Sequence, residues 1–410
     1  MVTSDSDRFV FVALPGQSEY VIAGRYRVSV EPGGAPLGEF VYGRTYLGRP
    51  DAVELDPAEL KLTERVMKTH SGDGLFGAIR DSKATSWGRP LNLEGEVSNG
   101  NEPVNQLRFE RPGAVVIGRG HEAPGPTRRM LAIDELGRLQ TALDAEREWR
   151  NACRETHDSG ARDSSVRIAA KVTVEHERTL WVAKFGQEHS LWNQARVRHA
   201  TLQLARECGV DVAPTRVRRA AGRDLLLVQR PDREWAGDGY ACSRMIRGLT
   251  LLGTEDTPEE RRHWSYLSLA DEVRRTSSRP LADLHELFRR ICFNAAITNL
   301  NDDLLRPTMV AKGRSWRLAQ ATGPVPTLPV EGAGGDFAMI CGPQGRSPSR
   351  ENIVGGAGRF LLERPAAEAI FDGVSATVRA SWYTVMRQSG VSEEDCELVA
   401  RSIVHRADDR

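Results

Sequence analysis

Short apolar runs bounded by glycine, proline and polar turn residues fill the first half of the chain, and they predict β-strands. These runs cover residues 8–14, 26–30, 38–42, 113–117, 166–171, 179–185, 215–219 and 224–232. Residues 174–177 read as the turn between the fifth and sixth runs, and Ala221-Gly222 reads as the turn of the last pair. The first half of the chain is therefore predicted to be rich in strands.

From residue 249 onward, apolar positions recur mainly at the spacing of amphipathic helices, and two earlier segments share this pattern. The predicted helices cover residues 133–150, 191–206, 249–253, 263–275, 280–297, 366–387 and 392–407. The helix at 280–297 has the broadest apolar stripe, which is predicted to bury Leu281, Leu284, Leu287, Phe288, Ile291 and Phe293. The elements predict an α+β chain with units at residues 1–150, 151–232 and 233–410.

Charge and composition narrow the classes of function. Lys plus Arg and Asp plus Glu each number 56, so the formal net charge is zero and direct binding to nucleic acid has no support. No apolar run approaches the roughly eighteen residues of a membrane helix, and no basic segment precedes an apolar one near residue 1, so we expect a cytoplasmic protein. The six cysteines form no C-x-x-C pair, which predicts reduced thiols rather than disulfides or a zinc site.

The most specific motif follows the helix at 280–297. It reads Phe293-Asn-Ala-Ala-Ile-Thr-Asn-Leu-Asn-Asp-Asp-Leu-Leu-Arg-Pro307, and Trp316-Arg-Leu-Ala-Gln-Ala-Thr-Gly-Pro-Val-Pro-Thr-Leu-Pro329 comes soon after it. With the strand Thr179-Leu-Trp-Val-Ala-Lys-Phe185, these segments resemble the HipA-like serine/threonine kinases, the toxin kinases of bacterial toxin–antitoxin pairs. The resemblance implies a two-lobed protein-kinase fold with a strand-rich N-lobe, an extra N-terminal subdomain and an all-helical C-lobe.

In that family the motif carries an Asp that orients the substrate hydroxyl, an Asn five residues later that holds magnesium, and a second magnesium Asp further on. An ungapped match places Asn301, Arg306 and Gly323 at these three positions. Because phosphoryl transfer depends on positioning and on magnesium, replacing both metal ligands removes the largest catalytic contribution. A shift of register would instead make Asp302 or Asp303 the catalytic carboxylate.

The resemblance also assigns the nucleotide-binding positions. Lys184 matches the strand lysine that contacts the phosphates, but the helix Glu that should pair with it is replaced by Arg198. The residues Asp163 and Ser164 replace the Pro-Lys of the phosphate-covering loop. Gln229 and Arg230 fall in the linker between the lobes, whose backbone groups face adenine in kinase folds. ATP therefore stays a candidate ligand, whereas the replacements argue against bound magnesium or any other metal.

These replacements favour a pseudokinase that acts as a non-catalytic binding or regulatory protein. The resemblance offers an antitoxin-like helix-turn-helix protein as one kind of partner. The alternative is an atypical HipA-family serine/threonine kinase or a nucleotidyl transferase that uses ATP, because Lys184 and the helical framework are retained. Two further readings are an antitoxin-dependent complex with DNA and an accessory role in a biosynthetic pathway.

Overall fold

The computed structural model describes residues 7–83, 89–90, 111–125, 130–141, 144, 170–186, 190–328 and 335–403. Its strands are β1 (Arg8–Ala13), β2 (Tyr20–Val30), β3 (Pro36–Tyr42), β4 (Met67–Thr69), β5 (Arg89–Pro90), β6 (Val115–Gly118), β7 (Leu131–Ala132), β8 (Ala170–His176), β9 (Thr179–Lys184), β10 (Thr215–Ala220), β11 (Arg223–Gln229), β12 (Arg233–Trp235), β13 (Tyr240–Cys242), β14 (Arg244–Arg247), β15 (Thr308–Lys312) and β16 (Ser315–Leu318).

Helices dominate the later part of the chain. Three short helices come early, namely α1 (Arg44–Leu47), α2 (Ser71–Gly74) and α3 (Gly77–Asp81). The later ones are α4 (Gln194–Glu207), α5 (Gly248–Leu251), α6 (Pro258–Arg261), α7 (Tyr266–Thr276), α8 (Pro280–Ala296), α9 (Arg350–Gly355), α10 (Arg364–Gln388) and α11 (Glu393–Ile403). Two 3-10 turns cover Ile133–Glu135 and Ala357–Phe360. The predicted helix at 133–150 is helical from 133 to 141, and most of its later residues lie outside the described part of the chain.

The first subdomain is a five-stranded antiparallel sheet in the order β4-β3-β2-β1-β6. Its three long strands confirm the strands predicted near the beginning of the chain. The subdomain also packs on the helical lobe, where Gly77 of α3 leaves no room for a side chain beside Thr250 of α5. Asp81 reinforces this contact by accepting hydrogen bonds from Arg247 N at 2.8 Å and Thr250 Oγ1 at 2.7 Å.

The second sheet forms the strand lobe in the order β10-β11-β9-β8, with β5 and β7 parallel to β8. The hairpin between β8 and β9 turns at Glu177 and Arg178, which both have positive φ, at 52° and 55°. The sequence predicted this turn too early, at 174–177. Its position could not be read from the sequence because the turn contains neither the asparagine nor the glycine that normally marks one. Strand β8 therefore continues to His176, and residues 166–169 lie outside the described structure.

The second lobe is mainly helical, but it is not wholly so. Strands β14, β15 and β16 form a three-stranded antiparallel sheet, and β12 pairs with β13. The expectation of an all-helical lobe is corrected here, because β14 alternates buried and half-buried positions as a strand does. Strands β12 to β14 follow the linker, and β15 and β16 follow the motif at 293–307. Residues of β14 and β15 line one side of the space between the lobes.

Helix α8 confirms the predicted apolar stripe at five of its six positions. Leu284, Leu287, Phe288, Ile291 and Phe293 are all buried. Leu281 is the exception, with 54% of its surface exposed. It lies in the first turn of the helix, directly after Pro280, where the helix projects beyond the core.

The described cysteines are buried free thiols, as the sequence predicts. They are Cys208, Cys242, Cys292, Cys341 and Cys396, whereas Cys153 lies outside the described residues. Ser392 accepts a hydrogen bond from Asp395 N at 3.1 Å, which confirms the predicted cap of the last helix. Within the described ranges, no helix is both long enough and apolar enough to cross a membrane.

Candidate functional site

A cleft of about 790 Å³ lies where the strand lobe, the helical lobe and the N-terminal subdomain meet. The cationic side chains among its described lining residues are Arg80, Lys83, Lys171, Lys184, Arg247 and Arg306. The acidic ones are Asp81, Asp256 and Asp303. Because each lobe contributes a different part of this lining, the cleft corresponds to the interlobe site of a two-lobed fold.

Lys184 stands at the end of β9, on the wall of the cleft, and faces other cations. Its Nζ donates a hydrogen bond to the carbonyl of Thr322 at 3.3 Å. Among the described residues, no carboxylate lies within salt-bridge distance of it. Burial lowers the pKa of Lys184 well below its usual value, and Lys171, Arg198 and Arg306 lower that pKa further. We call these four residues the cation cluster.

Two other members of the cation cluster are affected in the same way. Strand pairing puts Lys171 directly opposite Lys184, and burial followed by Arg306, Arg198 and Arg247 lowers the pKa of Lys171 to about 8. Burial and Arg306 lower the pKa of Arg198, which α4 presents from behind the cleft. The Nε atom of Arg198 is buried and has no hydrogen-bond partner among the described residues. The helix position that should carry a glutamate thus adds repulsion.

Replacing Lys184 by methionine should stabilise the protein in phosphate-free buffer at pH 7, on the order of 1 kcal/mol, because a crowded and poorly solvated charge is removed. The folded-state pKa lies below the value of 10.5 for an unperturbed lysine. Between these two pKa values the unfolded chain binds more protons, so the stability of the wild-type protein rises with pH. The advantage of Lys184→Met should therefore shrink as the pH rises towards 10.5.

Urea denaturation of both proteins across this pH range measures the difference. The control is Lys312→Met, which removes an exposed lysine that lies 3.3 Å from Glu234. Its effect should stay within about 0.5 kcal/mol at each pH. A Lys184→Met protein that is less stable than the wild type at pH 7 would mean that Lys184 is held by a favourable charge interaction.

The candidate catalytic residues are not gathered at one point. Asn301 is exposed, and its Nδ2 donates to Thr327 Oγ1 at 3.4 Å rather than reaching the cleft lining. Asp302 points into the helical lobe, where its Oδ2 accepts hydrogen bonds from Tyr266 Oη at 2.6 Å and Asn294 Nδ2 at 3.0 Å. Asp303 is the member of this group that lines the cleft.

Asp303 is held by its own loop. Its Oδ1 accepts a hydrogen bond from Leu305 N at 3.0 Å and lies 3.9 Å from Arg306 Nε. Burial raises the pKa of Asp303, and the positive charge of Arg306 opposes that rise. Of the two aspartates in the motif, Asp303 therefore has the better position for any chemistry in the cleft.

Arg306 and Gly323, which the resemblance matches to the two magnesium ligands, lie close together. A Cβ atom placed on Gly323 would be 3.6 Å from Arg306 Nη1, so a guanidinium stands where a metal would need oxygen ligands. Among the described residues, no group of three or more His, Cys, Asp or Glu side chains could hold a metal ion. At the two matched positions, neither the guanidinium of Arg306 nor Gly323 offers a side-chain oxygen to a magnesium ion.

The linker between the lobes has a structural role at Arg230. This side chain is 2% exposed and donates to both carboxylate oxygens of Asp232, at 3.0 and 2.8 Å. Arg230 is not among the residues that line the cleft, so its side chain serves the linker itself, and the predicted contact of the linker backbone with adenine stays a prediction. Gln229 does line the cleft, but its N–H donates to the carbonyl of Pro214 at 2.9 Å.

Sequence reasoning found Lys184, Arg198 and Arg306 but missed the other cations of the cleft. Lys171 lies opposite Lys184 in the β8–β9 pair, and Arg80 and Lys83 come from the N-terminal subdomain. The partner of Lys184 could have been found from a correctly placed turn, since a turn at 177–178 pairs residue 171 with residue 184. No local signal connects residues 80–83 to this site. The phosphate-loop positions Asp163 and Ser164 lie outside the described residues.

Comparison with known proteins identifies relatives of this architecture. A family model described as the HipA-like C-terminal domain matches residues 159–382. The fold is similar to a chain in the complex of the Shewanella oneidensis MR-1 toxin antitoxin system HipA, HipB and its operator DNA. That match has a TM-score of 0.62 and 14% sequence identity, and it covers 96% of this chain and 95% of the other.

A weaker likeness is to the Helicobacter pylori proinflammatory kinase CtkA. Its TM-score is 0.35 at 7% identity, covering 58% of this chain and 94% of the other. No curated protein sequence matches the chain. The family match and the first structural match confirm the resemblance that the motifs implied, and with it the two-lobed α+β fold.

Proposed function

This chain belongs to the family of the HipA-like C-terminal domain, and from that premise we propose that it is a pseudokinase: a kinase-fold protein that binds and regulates but does not transfer phosphate. The observation that carries this proposal is that Arg306 lies close to Gly323, 3.6 Å from where a Cβ atom of that residue would be, so a positive charge stands beside the two positions matched to the metal ligands. Phosphoryl transfer relies on metal ions to neutralise the phosphates and to fix their geometry. The guanidinium of Arg306 supplies positive charge but does not coordinate phosphate oxygens in the way that magnesium does.

The state of the motif aspartates supports the same proposal. Asp302, the first of them, is committed to Tyr266 and Asn294 inside the helical lobe. The matched position of the catalytic carboxylate is occupied by Asn301, whose neutral amide cannot accept the proton of a substrate hydroxyl. The cleft therefore offers a binding surface without the usual acid–base group.

The function we assign is regulation through a bound protein. The structural relative from Shewanella oneidensis was solved with HipB and operator DNA, which supports a protein partner of the antitoxin kind for this chain as well. Direct contact with DNA has less support, because positive and negative side chains are equal in number over the whole sequence.

A second candidate function rests on Asp303. This carboxylate lines the cleft together with the retained Lys184, and its pKa is raised, as a general base near neutral pH requires. An atypical serine/threonine kinase or a nucleotidyl transferase would use these two residues. This enzyme would have to neutralise the phosphates with Arg306 in place of a metal ligand.

Incubation of the purified protein with labelled ATP separates the two functions. We expect no label on the protein itself, with magnesium or manganese present, from ATP labelled at either the γ- or the α-phosphate. Metal-dependent labelling that Asp303→Asn abolishes would overturn the pseudokinase proposal. The γ-label would then identify phosphate transfer and the α-label nucleotide transfer. Asp256→Asn, at another carboxylate of the cleft lining, is the matched control.

A further inference from the structure

We propose that the cleft binds a polyphosphate compound in its metal-free form, and that the cation cluster supplies the positive charge that magnesium supplies in active kinases. This inference rests on the proposed function, because a cleft that binds phosphates without a metal is the binding site of a protein that does not transfer them. The ligand class is a di- or triphosphate, either free or as an ester. The cation cluster would recognise this ligand by the charge and spacing of its phosphate groups.

The cluster is assembled from separate elements, so its charge is built into the fold rather than into one flexible loop. Strands β8 and β9 carry Lys171 and Lys184 at paired positions. Helix α4 brings Arg198 from behind, and Arg306 comes from the loop between α8 and β15. Repulsion among these four positive charges destabilises the empty site, and a bound polyanion would relieve that repulsion. Binding an anion should therefore stabilise this site more than it would stabilise an exposed basic surface, where water already screens the charges.

Hydrogen-bond donors left over in the cleft point to the same ligand. The Nε atom of Arg80, a residue of the cleft lining, is buried and has no partner among the described residues. The one partner of Lys184 in the described structure is a single carbonyl oxygen. Buried donors without partners are costly, and phosphate oxygens are strong acceptors for guanidinium and ammonium groups. A phosphate chain would therefore satisfy donors that the protein leaves unpaired.

Of the three carboxylates in the described lining, Asp303 lies beside a member of the cation cluster, 3.9 Å from Arg306 Nε, and it offsets part of the charge of that arginine. Asp81 is engaged by Arg247 and Thr250, and Asp303 is engaged by Leu305 N and Arg306. Asp256 lies 2.6 Å from Arg261 Nε, outside the cluster. Each acidic side chain thus has a protein partner, whereas Lys184 has no acidic partner among the described residues. A magnesium complex of the same ligand would bring a further cation next to Arg306.

The linker indicates that a base is recognised weakly. Pro231 has no N–H, and the N–H groups of Gln229 and Arg230 donate to Pro214 and Leu180 at 2.9 Å each. Apolar side chains line the adjoining wall, namely those of Val182, Val228, Met245, Leu249 and Leu305. This wall can pack against the face of a heterocycle but offers no side-chain hydrogen bond to its edge. Affinity should therefore depend on the phosphates far more than on the identity of the base.

Calorimetric titration with pyrophosphate, ATP and GTP, each in EDTA and in excess magnesium, tests this inference. We expect binding in EDTA, weaker binding in magnesium, and affinities for ATP and GTP that agree within about threefold, since charge-assisted bonds to phosphate dominate. Arg306→Ala and Lys184→Met should each weaken metal-free binding by about tenfold, the equivalent of one such bond. Arg274→Ala, at an exposed arginine of α7 outside the cleft, should leave it unchanged.

Thermal unfolding of each variant first establishes that it is folded. Absence of binding in EDTA, or binding that strictly requires magnesium, would overturn the inference. So would an equal loss of affinity in Arg274→Ala, because that would indicate nonspecific attraction. The labelling experiment decides the proposed function separately: a protein that binds nothing and carries no label is still a pseudokinase, whereas one that binds without metal and becomes labelled is an enzyme.

Discussion

Replacing Asp232 by alanine should lower the free energy of unfolding by about 3–5 kcal/mol, because two buried arginines then lose the carboxylate that balances them. Asp232 is fully buried, and its two oxygens accept hydrogen bonds from Arg230 at 3.0 and 2.8 Å and from Arg233 at 2.7 Å. Its Oδ2 also accepts from Gly113 N at 2.8 Å. Denaturation in guanidinium chloride, followed by tryptophan fluorescence, measures the loss.

The matched control is an ion pair of the same chemistry at the surface. Arg350 donates to both oxygens of Asp372 at 2.8 Å, but the Asp372 side chain is 57% exposed. Asp372→Ala should therefore cost under about 1 kcal/mol. Equal losses of unfolding free energy in the two variants would contradict the view that burial of Asp232 with Arg230 and Arg233 causes the large loss.

Leu284→Ala should cost about 2–5 kcal/mol, because it leaves a cavity in the core of the helical lobe that the surrounding side chains can only partly fill. Leu284 is 0% exposed and lies in the second turn of α8. The measurement is the midpoint and slope of urea denaturation.

Leu281→Ala changes the same residue type one turn earlier and serves as the control. Since Leu281 is 54% exposed, its loss should change the free energy of unfolding by less than about 0.5 kcal/mol. A large cost at Leu281 would mean that something covers this turn in solution. A small cost at Leu284 would mean that the lobe repacks around the missing side chain.

These two leucines also mark how far the sequence could predict the fold. The apolar spacing identified α8 and five of its buried positions, because burial of a regular helix follows its period. The period cannot tell where the helix leaves the core, and Leu281 was wrongly assigned for that reason. The sheet of β14 to β16 was missed because its strands are short and because β14 lies far in sequence from its partner β15, so that pairing depends on tertiary structure.

The candidate site was predictable only through the family resemblance, and only in part. That resemblance selected Lys184, Arg198 and Arg306, and the structure brings them close enough for their charges to interact. It could not separate Asp302 from Asp303, because neighbouring residues in a loop can point in opposite directions. The buried partners of the Arg230 side chain, the carbonyl of Arg111 and Thr173 Oγ1, lie far away in sequence, so no local pattern could predict them.

Helix α4 joins the two cores of the molecule. Its residues Val197, Ala200, Leu202, Leu204 and Ala205 belong to the same continuous core as the helical lobe and the N-terminal subdomain. The sheet of the strand lobe has a small core of its own. Polar side chains of α4 hold that sheet, since Arg196 Nε donates to Asp224 of β11 at 2.5 Å and His199 Nδ1 lies 2.8 Å from Thr215 Oγ1 of β10. The strand lobe is therefore fastened to the larger body by a polar seam along one helix, the same helix that carries Arg198.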